Sequence, residues 1–155
     1  MSETDHGASA AAEKWNKAHV VPNFRRRFVN HIPWVRNYIH FRYLNNEKPF
    51  SILKRELGST PVDDALELAG GRGDFSLALL TSGLARNVRM VDLSESAAKI
   101  AREKADSQGI SGFVVETGDV NDLRIGEKYD LVTFSQSLHH IFALEPILGE
   151  VRRAL

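Results

Sequence analysis

Apolar positions follow two different patterns along the chain, and the change between them divides it into regions. From about residue 13 to residue 57 the spacing is helical, with breaks near Pro22, Pro33 and Pro49. The small polar residues before this stretch predict a disordered tail, and LGSTPVDD after it predicts a linker. The predicted regions are a tail (1–12), an N-terminal helical segment (13–58) and a core (59–155).

Beyond the linker, short apolar runs alternate with helical stretches, as in parallel sheets covered by helices. The predicted strands are ALELA (65–69), VRMVD (88–92), GFVVET (112–117) and YDLVTFS (129–135). The predicted helices cover about residues 74–84, 94–108 and 143–155. Ser94 is a suitable N-cap, and Gly83 and Gly109 lie where helices should end. The predicted fold class is therefore α/β.

Composition narrows the kind of protein. A chain of 155 residues with 43% hydrophobic and 26% charged residues suits one globular domain. It contains no cysteine, which excludes disulfides, thiolate chemistry and cysteine zinc sites. No apolar run approaches the roughly 20 residues that span a bilayer, and MSETDHGASAAAEKW lacks the apolar core of a secretory signal. We predict a cytoplasmic protein with no membrane partner.

Opposite charges separate along the chain although the net charge is zero. Residues 1–55 hold ten Lys and Arg against four Asp and Glu, and residues 56–155 hold ten against sixteen. The basic part includes Arg25, Arg26 and Arg27. The aromatic residues interleaved with the basic ones are Phe24, Phe28, Trp34, Tyr38, Phe41 and Tyr43. Such a mixture could bind nucleic acid. An amphipathic helical segment lying against the acidic part is the favoured interpretation.

Polar or glycine residues follow each predicted strand, where ligands of parallel sheets bind. These residues are Gly71 and Gly73, Asp92, Gly118 with Asp119, and Ser135 with Gln136. Asp92 stands 19 positions after Gly73, which is close to the spacing of dinucleotide sites.

Acids near the glycine turn argue against a dinucleotide. Ser76 stands where a third glycine is expected, and Asp74 opens the helix whose N-terminus should hold a diphosphate. A nucleoside that carries an ammonium and a sulfonium, such as S-adenosylmethionine, suits Glu67 and Asp74 better.

Residues 65 to about 142 resemble the class I S-adenosylmethionine-dependent methyltransferases of the small-molecule type. ELAGGRG is similar to their motif acid-x-Gly-x-Gly-x-Gly, with Ala69 in place of the first glycine. The form AGG-x-GD is similar to that of quinone-biosynthesis C-methyltransferases. TGDVNDL resembles the family's motif after strand three, and FSQSLHHI resembles its segment after strand four.

The resemblance implies a Rossmann-like sheet with strand order 3-2-1-4 in this chain. The family core has seven strands, and its last three would follow LEPILGEVRRAL. We therefore expect a core truncated after strand four, with that strand at an edge. An apolar edge without lysine or proline favours pairing. We expect a homo-oligomer, or a complementary C-terminal fragment bound at this edge.

The resemblance also implies roles for site residues. Gly71 and Gly73 would let the backbone approach the methionine part of the cofactor, near Glu67 and Ala69. Asp92, followed by Leu93, would accept from the ribose hydroxyls. Asp119 would accept from the adenine amino group. The remaining implied contacts are Val120 on the adenine ring and Ser135 beside cofactor and acceptor.

Methyl transfer needs mainly an in-line arrangement of the nucleophile and the activated methyl group. A base is needed only for an acceptor that must lose a proton, and His139 or His140 is the candidate. The two histidines could also suggest a metal, but no third ligand at sensible spacing is visible, so we predict none. Helices before the core commonly form a lid in the family, and residues 23–50 are placed to do so.

Three alternatives remain open. One is a nicotinamide oxidoreductase, and another is a non-catalytic module that binds the cofactor or a partner. The third, a nucleic-acid methyltransferase, rests only on the basic N-terminal part. The segment after strand four lacks the Asn/Asp-Pro-Pro-aromatic motif of base amino-methylating enzymes.

Overall fold

One parallel sheet of four strands forms the centre of the molecule. The computed structural model describes residues 12–14, 16 and 49–155. The strands are β1 (Val62–Leu68), β2 (Ala85–Asp92), β3 (Phe113–Thr117) and β4 (Leu131–Thr133). Their order is β3-β2-β1-β4, with all neighbours parallel. The predicted fold class and strand order are confirmed.

Helices connect the strands and cover the sheet. They are α1 (Pro49–Leu57), α2 (Asp74–Thr81), α3 (Glu95–Ser107) and α4 (Leu144–Ala154), with short 3-10 turns at Val120–Asp122 and Leu138–His140. The Ser94 hydroxyl accepts a 3.2 Å hydrogen bond from the Ala97 N–H, as expected of an N-cap. Gly83 and Gly109 adopt φ values of 69° and 62° just after α2 and α3, which confirms them as helix ends.

Several predicted boundaries are wrong for identifiable reasons. Val62, Asp63 and Asp64 belong to β1 rather than to a linker, because their N–H groups find partners. Val62 donates to the Leu84 carbonyl at 2.9 Å, and Asp63 and Asp64 donate to Oδ2 of Asp130 at 2.9 and 3.0 Å. Pro49 is the first residue of α1, where proline fits the first helical turn, in agreement with the predicted break near this residue.

The sheet separates two apolar clusters. Alternation along β1 sends Ala65 to one cluster and Leu66 and Leu68 to the other. The first cluster contains Leu79 and Val88, with Phe50 and Leu53 of α1 packed against it. The second joins the sheet to α4 and contains Leu66, Leu68, Val91, Val120, Tyr129, Ile147 and Ala154. The helices therefore fix the strand ends from both faces.

Most of the predicted N-terminal segment lies outside the described residues. This applies to residues 1–11 of the predicted tail and to residues 23–48 of the predicted lid, which include Arg25, Arg26 and Arg27. Ala12, the last residue of the predicted tail, has helical backbone. Across the part of the chain that the structure describes, no helix combines the length and the apolarity needed to cross a membrane.

Candidate functional site

A tight turn, residues 69–73, leads from β1 into α2. Ala69, Gly71 and Gly73 adopt left-handed φ values of 54°, 59° and 72°. A Cβ on Gly73 would lie 2.9 Å from Ala101 Cβ of α3, and one on Gly70 would lie 2.6 Å from the Met90 side chain. Glycine is therefore required by close packing as well as by backbone conformation. Ala69 adopts the left-handed conformation without being glycine.

Two carboxylates accept N–H bonds, one from the turn and one from the first turn of α2. The Gly71 N–H donates to Oδ2 of Asp92 at 2.7 Å, and the Ser76 N–H donates to Oε2 of Glu67 at 2.9 Å. The Gly73 N–H donates to the Gly70 carbonyl at 3.1 Å. In a phosphate-binding turn such donors point at the ligand. The N–H groups of Gly71, Gly73 and Ser76 are therefore engaged with protein acceptors and are not directed at a diphosphate.

Glu67 is a buried acid under the turn. Its side chain has no exposed surface, and its Oε2 also accepts from the Ser76 hydroxyl. Since the N-cap residue Gly73 makes no side-chain cap, Glu67 satisfies the start of α2 instead. Its Oε1 has no hydrogen-bond partner among the described residues. Burial raises the pKa of Glu67 from 4.5 to about 7; the Ser76 bonds oppose this, and Asp92 and Asp74 add to it.

Asp74 is engaged with a cation on a neighbouring helix. Its carboxylate pairs with the ammonium of Lys104, which also donates to the Arg72 carbonyl at 3.1 Å. The Asp74 side chain is largely exposed. The charge of Asp74, which the sequence predicted to favour a cationic ligand, is therefore paired with Lys104. Among the described residues, Glu67 has no paired cation.

Asp92 joins the end of β2 to the glycine turn. Its Oδ1 accepts from the Ser94 N–H at 2.8 Å, while Oδ2 accepts from Gly71. The side chain is buried, and Leu93 beside it is half-buried. A carboxylate offers about four acceptor positions, so these two bonds leave capacity for ligand hydroxyls.

The turn after β3 holds Asp119 in a local network. Asp119 Oδ1 accepts from the N–H of Asn121 at 2.9 Å and from its amide Nδ2 at 2.8 Å. Asp119 is therefore a turn cap in the structure, as well as a candidate ligand residue. Val120 is buried in the cluster with Leu68 and Val91, so its side chain faces the core.

The segment after β4 brings two histidines to the same end of the sheet. Gln136 adopts a left-handed φ of 59°, and the buried Ser137 hydroxyl donates to the Leu68 carbonyl at 2.9 Å. This bond fixes the segment to the end of β1. The ring centroids of His139 and His140 lie 3.8 Å apart at 47°. Ser135, the predicted contact, is half-buried at the end of β4.

His140 has a lowered pKa. Burial is the largest cause, His139 and Lys14 add to it, and Asp92 opposes it. The influence of Asp92 means that His140 lies within electrostatic range of the end of β2. The neutral imidazole, which can accept a proton, is therefore favoured at neutral pH.

The described part of the N-terminal region contacts the start of α3. Asn16 Oδ1 accepts from the Ser94 hydroxyl at 2.8 Å and from the Ser96 N–H at 3.2 Å. The Ser96 hydroxyl donates to the Asn16 carbonyl at 3.1 Å. Asn16 therefore lies beside Ser94, which follows Asp92 by two residues.

The sequence-predicted residues converge at the carboxyl ends of the four strands. The residues at these ends are Glu67, Ala69, Gly71, Gly73, Asp92, Leu93, Asp119, Val120, Ser135, His139 and His140. Sequence reasoning missed the bonds of Ser76 and Ser137 to the end of β1 and those of Asn121 to the turns after β3 and β4, which have no signature in the sequence. In residues 12–14, 16 and 49–155 no group of three or more potential ligands could hold a metal ion.

A parallel sheet with glycines and acids at its carboxyl edge defines a Rossmann-like nucleoside-binding domain. Residues 65–155 match the family described as "Methyltransferase domain". The chain belongs to this family, which confirms the family predicted from the glycine turn.

Similar proteins are methyltransferases by name. A demethylmenaquinone methyltransferase of Leptospira interrogans is 33% identical over 93 residues, covering 58% of this chain and 37% of the relative. A ubiquinone/menaquinone biosynthesis C-methyltransferase of Hydrogenovibrio crunogenus is 32% identical over 101 residues, covering 63% and 40%. A solved S-adenosylmethionine-dependent methyltransferase of Clostridium acetobutylicum has a TM-score of 0.59 at 26% identity, covering 76% and 51%. The chain spans about two fifths of the length of the curated relatives it matches.

Proposed function

We propose that this chain binds S-adenosylmethionine and serves methyl transfer to a small molecule. The observation that carries the proposal is that Asp92 accepts from the Gly71 N–H and Glu67 accepts from the Ser76 N–H. This leaves a site rich in negative charge and poor in phosphate-binding donors. A cationic nucleoside suits such a site better than a dinucleotide does.

The residues present fit this cofactor. Glu67 has a buried oxygen without a partner among the described residues, and a positive charge nearby would stabilise its ionised form. Asp92 has remaining acceptor capacity for ribose hydroxyls, and Asp119 for the adenine amino group. Gly71, Gly73, Ala69, Leu93, Val120 and Ser135 complete the proposed contact set. When bound, the cofactor supplies a methyl group activated by a positively charged sulfur.

The chain's own residues would orient the reactants and hold a proton. Positioning can supply roughly 7–11 kcal/mol of a barrier. His140, whose pKa is lowered, would accept a proton from an acceptor that must lose one, with His139 as its neighbour. The names of the two curated relatives support an acceptor of the quinone class.

Other parts of the proposal concern organisation. Residues 13–58 would cover the acceptor side as a lid over a core of residues 59–155, with residues 1–12 as a tail. The bonds of Asn16 to Ser94 and Ser96 at the start of α3 support a covering position for residues 13–58. We place the protein in the cytoplasm. We also propose that a second copy, or a complementary C-terminal segment, covers β4 and the exposed leucines of α4.

Calorimetric titration with S-adenosylhomocysteine and, separately, with NADH tests the proposed cofactor. We expect binding of the first and none of the second. Asp92→Ala should weaken binding by about 1.5–3 kcal/mol, because a charge-assisted hydrogen bond to ribose is lost. Asp130→Ala is the matched control, since Asp130 accepts backbone bonds at the opposite ends of the strands. Tight NADH binding without a response to S-adenosylhomocysteine would overturn the proposal.

A cofactor-binding module without its own activity is the second candidate. Exposed Leu144 and Leu148 on α4 favour it, because an apolar helix face invites a partner. A methyl-transfer assay with demethylated quinols separates the two candidates. Binding of S-adenosylhomocysteine without any transfer would favour the module.

A further inference from the structure

One side chain connects two parts of the candidate site that are distant in sequence. Asn121 donates through Nδ2 to Asp119 at 2.8 Å. Its Oδ1 accepts from the Phe142 N–H at 2.8 Å and from the Ala143 N–H at 3.1 Å. The side chain is half-buried in the turn after β3. The amide nitrogen of Asn121 therefore bonds to the turn after β3, and its oxygen bonds to the segment that leads into α4.

The bonds fix the orientation of this amide. The oxygen meets two backbone donors, and the nitrogen meets a carboxylate that can only accept when ionised. The reverse orientation would set an NH₂ group against two N–H groups. Asparagine at position 121 is thus the residue that can serve both partners at once; aspartate could serve only the backbone donors.

The groups that bond to Asn121 belong to two different parts of the candidate site. On one side is Asp119, the proposed acceptor for the adenine amino group. On the other is the start of α4, where Ala143 provides no side-chain cap. Phe142 and Ala143 lie two and three residues after His140, so Asn121 holds the C-terminal end of the histidine segment. Ser137 holds its N-terminal end through the Leu68 carbonyl.

We propose that Asn121 is a positioning residue that couples the adenine end of the cofactor site to the histidine segment. The inference rests on the proposed function, since it assigns Asp119 to the cofactor. A ligand bound to Asp119 would stabilise the position of the histidine segment through Asn121. A histidine segment held in place would in turn stabilise Asp119 in its binding position. Asn121 itself touches neither reactant.

Three substitutions separate the two halves of this link. Asn121→Ala removes both sets of bonds. Asn121→Asp keeps an acceptor for Phe142 and Ala143 but sets a second carboxylate against Asp119. Asn87→Ala is the matched control, because Asn87 bonds Asp63 and Asp64 at the opposite end of the sheet.

The readouts are the Kd for S-adenosylhomocysteine, amide exchange at Phe142 and Ala143, and the NMR signals of His139 and His140. Signals are assigned with His139→Gln and His140→Gln. In the unsubstituted chain, saturating ligand should shift the histidine signals. We expect Asn121→Ala to raise Kd roughly tenfold, to expose both amides and to abolish the histidine response. Asn121→Asp should raise Kd while keeping the amides protected, and Asn87→Ala should change nothing.

The outcomes distinguish this inference from the proposed function. Unchanged Kd, amide exchange and histidine response in Asn121→Ala would overturn the coupling while leaving cofactor binding intact. If the unsubstituted chain fails to bind S-adenosylhomocysteine, the proposed function falls, and the coupling falls with it. Equal amide exposure in Asn121→Ala and Asn121→Asp would also contradict the proposal, because only the first removes the acceptor.

Discussion

Glu67 combines two roles that make opposite demands on a carboxylate. As the acceptor for the start of α2 it is best ionised, whereas full burial beside Asp92 and Asp74 favours the neutral acid. The balance leaves a pKa of about 7, so the residue titrates near physiological pH. A positive ligand charge would shift this balance toward the ionised form.

Glu67 should make the stability of the ligand-free protein depend on pH. The folded chain keeps a proton that the unfolded chain, with a pKa of 4.5, has already released. The contribution of Glu67 to the free energy of unfolding is therefore fully present below pH 4.5 and is lost as pH rises through about 7. We expect a loss on the order of 3 kcal/mol from this group.

Chemical denaturation at pH 5 and pH 8 measures this effect. Glu67→Gln keeps the shape of the side chain and an acceptor for Ser76 but cannot titrate. It should therefore be less sensitive to pH than the unsubstituted chain and more stable at pH 8. Equal pH dependence in both proteins would show that Glu67 stays ionised throughout.

His140 should set the acidic limit of activity if the acceptor must lose a proton. Its pKa lies below the ordinary value of 6.5, so the neutral base persists at lower pH. We expect the rate of methyl transfer to fall only below pH 6.5, and His140→Gln to remove that limb. A rate that falls with a midpoint above pH 6.5 would assign the titration to another group.

Residue identities at strand ends could be predicted from sequence, but their partners could not. Asp92 and Glu67 stand beside apolar runs, which gives them a recognisable pattern. Asn121 and Ser137 are polar residues in loops, and their importance depends on backbone groups 21 and 69 positions away. No local pattern encodes such distances.

At the scale of elements, the glycine turn explains how α2 and α3 approach the sheet. Gly73 lies against Ala101 of α3, one of four buried alanines on that helix. The sequence predicted this turn well because glycine is the residue that it requires. It predicted β4 poorly, since the apolar run 129–135 continues past the three residues that pair with β1.

Gly73→Ala should destabilise the fold more than Gly83→Ala does. Both glycines have positive φ, which costs roughly 1–2 kcal/mol for alanine. Only at Gly73 would the new Cβ also meet backbone-anchored neighbours, with Ala101 Cβ at 2.9 Å; nothing lies within 4 Å at Gly83. Thermal unfolding of the two variants isolates the packing contribution. An equal loss of thermal stability in the two variants would show that α3 can move away from the new Cβ at no energetic cost.

At the scale of the whole molecule, the side of the sheet formed by β4 and α4 exposes apolar residues in the part of the chain that the structure describes. Among the described strands, β4 pairs only with β1. On α4, Ile147 and Ala154 face the core, while Leu144, Leu148 and Leu155 are exposed. The apolar residues of this helix are therefore split between core and surface.

We expect the chain to associate through this side. Light scattering should report a mass above the 17.3 kDa of one chain. Leu148→Lys should reduce association, because a charge in an apolar contact is costly. Val114→Lys, at the exposed opposite edge strand β3, is the control and should have no effect. A cooperatively folding monomer at high concentration would contradict the expectation.

The strand order also has a consequence for the time course of folding. Ala65 pairs with Val88 and Val88 with Phe113, but Ala65 pairs with Leu131, 66 positions later. Closing the longer loop costs more chain entropy, so contacts of low sequence separation form earlier. We expect β1, β2 and β3 to assemble first and β4 to join last. Glu67 on β1 and Asp92 on β2 would then be in place before β4 brings His139 and His140 to the same end of the sheet.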